Sequence, residues 1–137
     1  MKYKKNAEKS GFSVRHIISI PFIWALLPSF VILDITIEIY HQICFRLYQI
    51  PLVKRRNYIK IDRNRLRYLK WYDKINCAYC GYANGLLHYA GVIAGETEKY
   101  WCAIKHQKQK GFVEPAHHKD FLEYGDEKGF RKEYGEK

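Results

Sequence analysis

Ile17-Ile-Ser-Ile-Pro21-Phe-Ile-Trp-Ala-Leu-Leu-Pro28-Ser-Phe-Val-Ile-Leu33 carries no charged side chain over 17 residues. A run this apolar is too greasy for a surface loop, and it reaches the lower limit of a membrane span, about 17–25 residues. No small-x-small cleavage site leads into a polar start, because Asp34 is followed by more Ile, so the segment reads as a retained anchor rather than a signal peptide. Pro21 and Pro28 remove backbone donors, which predicts a bent or re-entrant segment rather than a straight rod. A buried helix of a soluble oligomer would also be charge-free, and is the competing reading.

Downstream, residues 35–53 turn amphipathic. Asp34, Glu38, His41, Gln42, Arg46 and Gln49 recur every three or four positions and form one polar stripe, with Ile35, Ile37, Ile39, Ile43, Phe45, Leu47 and Ile50 filling the rest. Pro51 is the expected stop. Such a helix lies in a bilayer interface or packs on the first segment. Within the stripe, Glu38-Ile-Tyr-His41 repeats the Glu-x-x-His step of di-iron bundles, but no second such step occurs, so a solvated polar stripe is the expectation for Asp34, Glu38 and His41.

Both flanks of the 17–53 region are basic. Residues 1–16 hold Lys2, Lys4, Lys5, Lys9 and Arg15 against Glu8, and residues 54–74 carry nine Lys and Arg against Asp62 and Asp73. Positive flanks stay on the cytoplasmic side, so a hairpin or an in-plane anchor is expected over a single crossing. Over the whole chain of 137 residues, 24 Lys and Arg outnumber 14 Asp and Glu, a net charge of +10 that suits phospholipid headgroups or nucleic acid. The 12 Tyr, seven Phe and three Trp suit either a membrane interface or base stacking. The apolar anchor makes the membrane the expected partner and nucleic acid the weaker one.

The organisation expected is a basic arm at 1–16, an anchor at 17–53 and a basic cytoplasmic helical domain at 54–137. Residues 58–75 begin strand-like and become a basic helix. Residues 82–109 are mostly helix formers interrupted by Gly91 and Gly95, and the tail from Gly111 reads as loops around one short helix.

Four cysteines without a cleavable leader point to a reducing compartment, where thiols bind metal more often than they form structural disulfides. Cys77-Ala-Tyr-Cys80-Gly81 is a Cys-x-x-Cys-Gly knuckle, and Cys102-Ala-Ile-Lys-His106 stacks a thiolate and an imidazole one helical turn apart. Together Cys77, Cys80, Cys102 and His106 match the ligands of a structural zinc ion, with iron or an iron–sulfur cluster as the alternative. An unbroken helix over 82–106 would hold the two halves about 30 Å apart. A single-chain site therefore requires a fold-back at Gly91 or Gly95; otherwise an antiparallel homodimer must pair the halves. A dithiol redox pair at Cys77 and Cys80 is the rival, Cys44 is an ordinary buried thiol, and His88, His117 and His118 are further imidazoles of lower promise.

No Walker loop, dinucleotide fingerprint or Gly-x-Ser-x-Gly elbow occurs, which leaves no motif for an enzyme. Tyr40-His41, Cys44-Phe-Arg-Leu-Tyr48, Ile61-Asp-Arg63, Cys77-Ala-Tyr-Cys80-Gly-Tyr82 and Tyr100-Trp-Cys102-Ala-Ile-Lys-His106 resemble the motif string of a family of small, uncharacterised bacterial proteins. The resemblance implies a bacterial source and a common fold, and carries over no catalytic residue. The reading is a mainly α protein on the cytoplasmic face of the inner membrane: apolar and amphipathic helices followed by a small metal-stapled helical unit. Its expected work is that of a scaffold or accessory protein, with a redox component or an RNA-binding protein as alternatives.

Overall fold

The computed structural model describes residues 14–135, which are mainly helical, with no strand among them beyond one isolated bridge between Ile104 and Leu122. The expected basic arm lies outside the described residues, apart from its last three positions, which are helical. Helix α1 spans Val14–Ala25, α2 Leu27–Leu47, α3 Trp71–Trp101 and α4 Glu127–Tyr134. The chain divides into two compact units, Met1–Leu87 and His88–Lys137, whose boundary falls within α3.

In the first unit, α1 and α2 are separated by Leu26 alone, with Pro28 in the first turn of α2, where a missing N–H costs nothing. The hydrogen-bond path continues through the break: Leu26 N–H donates to Ile23 O (3.3 Å) and Phe30 N–H to Leu26 O (3.0 Å). An antiparallel hairpin needs a connection of about 2–5 residues. Residues 14–47 therefore form one long, interrupted helix rather than two antiparallel ones. Ile17–Leu47 is long and apolar enough to cross a membrane.

This helix stops at Leu47, before the expected Pro51. Ile50 N–H donates to Phe45 O (2.8 Å) and Gln49 N–H to Arg46 O (3.3 Å), a Schellman closure with Gln49 in the left-handed region (φ 58°). The chain then returns along the helix it has just left. His41 Nε2 accepts from Val53 N–H (2.9 Å), and Arg55 reaches Asp34.

Of the segment 58–75, expected to become helical, only residues from Trp71 onward are in an α-helix, and residues 54–70 stay outside it. They are irregular, with single 3-10 turns at Arg55–Asn57 and Arg63–Arg65. Their backbone lies against α3 where the helix has no side chains. A Cβ on Gly81 would meet Lys60 O at 2.8 Å, and one on Gly85 would meet Tyr58 O at 2.7 Å and the Ile59 Cα at 2.8 Å. Gly81 thus admits a neighbouring backbone and does not turn a metal knuckle.

Asp34, Glu38 and His41 of the polar stripe face inward, against expectation, while Arg46 and Gln49 stay exposed. His41 and Phe45 are buried and Asp34 and Glu38 half-buried, while Ile32, Ile35, Ile39 and Ile43 are each more than half exposed. The helix is amphipathic with its greasy side out.

In the second unit, α3 ends at Trp101 and the chain from Cys102 onward is irregular up to α4. Tyr89, Ile93, Phe121 and His118 form its buried centre. Paired backbone bonds, Leu122 N–H to Ala103 O (2.9 Å) and Lys105 N–H to Leu122 O (2.8 Å), hold segment 115–122 beside the end of α3. The Lys105–Glu123 ion pair lies next to them (2.5 Å).

A candidate metal centre at Glu98

Helix α3 passes Gly91 and Gly95 without a break. The fold-back that a single-chain site of Cys77, Cys80, Cys102 and His106 was expected to require at Gly91 or Gly95 is therefore not present in the helix. The glycines do not stop the helix because they need not: a glycine in a helix costs only about 1 kcal/mol. Gly95 serves a neighbour instead, since a Cβ there would stand 3.0 Å from the His117 ring. Cys77 is half-buried, Cys80 and Cys102 are exposed, and all four thiols are unbridged.

The Asp34, Glu38 and His41 set is spent on structure. Asp34 accepts from Arg55 and from Tyr82 Oη (3.0 Å), Glu38 accepts from Gln42 Nε2 (2.7 Å), and the His41 ring holds the Val53 backbone.

Of the four predicted ligands, His106 alone stands in a cluster of donors. Glu98, in the last turn but one of α3, meets three imidazoles. His117 Nε2 lies 2.8 Å from Glu98 Oε2, His118 Nε2 3.1 Å from Oε1 and His106 Nε2 4.0 Å from Oε1. Glu98, His117 and His118 present ligand atoms all within 4.8 Å of one another.

Local structure aims each ring. Pro115 is extended and opens the 3-10 helix Ala116–Asp120, so His117 and His118 leave consecutive positions of a tight turn. His118 stacks on Phe121 (4.8 Å between centroids, 23° between planes), and His106 packs edge-on against Phe112 (5.7 Å). His118 is fully buried, and its Nδ1 has no hydrogen-bond partner. Burying an unsatisfied polar atom costs about 1–3 kcal/mol. The hydrogen bond from His117, followed by that from His118, holds the Glu98 carboxyl below its ordinary range, against the opposing effect of burial. The carboxylate is thus charged at neutral pH, and Nε2 of His117 and of His118, which hydrogen-bond to it, must each carry a proton unless a cation takes the proton's place.

Three imidazoles and a carboxylate are a nitrogen-rich donor set of the kind zinc accepts, whereas iron–sulfur clusters take thiolates. In the sequence the only sign was the adjacent pair His117-His118 between Pro115 and Phe121, with nothing to connect it to Glu98 some 20 positions earlier. No family model, curated protein or solved structure matches the chain.

Proposed function

We propose that this protein is a membrane-attached scaffold or accessory protein in which a zinc ion, held by Glu98, His117, His118 and His106, ties segment 104–121 to the end of α3. The observation that carries the reading is the convergence of three imidazole Nε2 atoms on one carboxylate, with His118 fully buried among them. A cation there would replace the protons that His117 and His118 now give to Glu98. With all four side chains engaged, tetrahedral coordination is filled and the site is closed to substrate, so the metal's contribution is to folding.

The exposure of His106, with 65% of its side chain accessible, favours a second reading. Without it, two histidines and one carboxylate are the set that holds non-haem iron(II) with open positions, and the protein would be a redox component.

Attachment is best read as in-plane. Asp34 lies near the middle of Ile17–Leu47, and its partner Arg55 has Lys54 and Arg56 as neighbours. A straight crossing would carry these cations to membrane depth, at about 2.5–3.5 kcal/mol each on insertion scales. Lying in the interface, the Ile32–Ile43 ridge enters the acyl region while the basic return segment stays among headgroups. The cytoplasmic face of a bacterial inner membrane suits this charge.

Elemental analysis of the purified full-length protein tests the metal reading. One zinc per chain, lost in Glu98→Gln and His118→Ala but kept in Cys77→Ser/Cys80→Ser, is the expected result, with helix content by circular dichroism confirming that the variants fold. Iron in place of zinc selects the second reading. Metal retained in Glu98→Gln and His118→Ala but lost in the cysteine variant would overturn both, and would restore the thiolates through an intermolecular site.

A further inference from the structure

Beside α1, the first two turns of α3 leave a cleft of about 730 Å³ walled by Ile20, Ile23, Trp24, Trp71, Ile75 and Tyr79. That volume lies within the usual range of ligand pockets, about 300–1,000 Å³. Tyr79 fixes its floor by donating from Oη to Ile23 O (2.8 Å) and by packing against the Trp24 ring (5.2 Å). Trp71 and Ile75 are exposed along the rim, so the walls are apolar and only partly covered.

Two further features of the first unit bear on the occupant. The exposed apolar side chains Ile17, Ile18, Phe22 and Ile23 continue from the cleft along α1, making it a branch of the face proposed to enter lipid. At its other lip the charge is positive: Lys70 Nζ sits 5.8 Å from the ring of Tyr72, another wall residue. Arg63, Arg65 and Arg67 precede it in the chain, all exposed, with Asp62 before them and Asp73 after Lys70 as the acids nearby in sequence.

We propose that this cleft binds one acyl chain of an anionic phospholipid, whose phosphate is met by Lys70 and the Arg63–Arg67 cluster. An apolar slot with a cationic lip matches a molecule that is greasy along its length and negative at its end. A peptide helix would leave that charge unused, and a neutral lipid would gain from the slot but not from the lip. The proposal rests on the membrane attachment only for the source of the lipid, and is independent of the metal site.

The test uses full-length Trp101→Phe protein in detergent, so that Trp24 and Trp71 alone report, titrated with phosphatidylglycerol brominated on its acyl chains. Because no bilayer is present, the result is separable from salt-extraction experiments on the anchor. Saturable quenching at one lipid per chain is expected. It should be at least about fivefold weaker with brominated phosphatidylcholine or after Lys70→Glu, since a nearby basic side chain is worth about a factor of five. Asn76→Phe, which intrudes on the slot, should abolish it while circular dichroism stays unchanged. Non-saturating quenching, or equal response to the two lipids, would overturn the proposal. So would quenching that appears only when residues 1–13 are removed, or a dimer mass with Trp71 shielded, because the chain's own N-terminal segment or a second copy would then fill the cleft.

Discussion

Arg55 clasps Asp34 through two hydrogen bonds, Nη2 to Oδ2 at 2.6 Å and Nε to Oδ1 at 3.3 Å, and so pins the irregular segment after Gln49 to the helix 21 residues before it. The Arg55 side chain is 42% exposed but that of Asp34 only 16%. Removing the arginine strands a poorly hydrated carboxylate, whereas removing the acid leaves a guanidinium that water can reach. Arg55→Ala should therefore destabilise more than Asp34→Asn, by about 1–2 kcal/mol after allowance for solvent screening. Urea unfolding in mild detergent measures the difference, and equal costs would mean that the pair is not the pin.

Glycines of α3 should respond oppositely to alanine. At Gly85 the new Cβ collides with backbone of Tyr58 and Ile59, which cannot swing away as a side-chain tip would. A loss of about 1–3 kcal/mol is expected from such overpacking. At Gly91 nothing lies within 4 Å, so Gly91→Ala should gain the ordinary helix preference, about 0.5–1 kcal/mol. Thermal melts of the two variants give the signs directly.

Gln49 holds a left-handed conformation that L side chains adopt at a cost of roughly 1–2 kcal/mol. Gln49→Gly should raise the unfolding free energy by about 0.4–1 kcal/mol, read as a higher unfolding midpoint, because relief of the native conformation outweighs the freer unfolded chain. A drop would show that the Gln49 side chain contributes more than its backbone costs.

Acid should loosen the Glu98 cluster. A carboxylate whose folded pKa is depressed contributes stability that is complete above its unfolded value and is lost as pH falls through the folded one. For Glu98 that loss lies below the ordinary 4.5. In the presence of a chelator, wild-type stability should fall over this range, and Glu98→Gln should be less stable at pH 7 but show a shallower acid slope. Parallel curves for the two proteins would remove Glu98 as the titrating group.

The outward ridge predicts the membrane behaviour. High salt should leave the protein on anionic vesicles, and Ile35→Glu/Ile39→Glu should release it, since each buried Ile is worth about 1.5–3 kcal/mol. Release of the wild-type chain by salt alone would assign its attachment to charge.

Composition and periodicity marked helix over 17–53 and 82–109, where the structure has helix over 14–47 and to the end of 71–101, because a charge-free run and a long stretch of helix formers bias the backbone locally, whatever surrounds them. They also marked His106, which the structure places near Glu98. Three things were decided only by the tertiary structure. A glycine in a helical pattern reads the same whether it ends the helix or receives a neighbour, and only the path of residues 58–60 and the His117 ring decide it for Gly81, Gly85 and Gly95. A polar stripe reads the same whether water or the chain itself covers it, and the irregular segment after Gln49 turned Asp34 and His41 inward. Cys-x-x-Cys-Gly describes spacing along the chain, whereas a metal needs proximity in space. Helix α3 runs unbroken past Gly91 and Gly95, while the turn at Pro115 carries His117 and His118 back to Glu98.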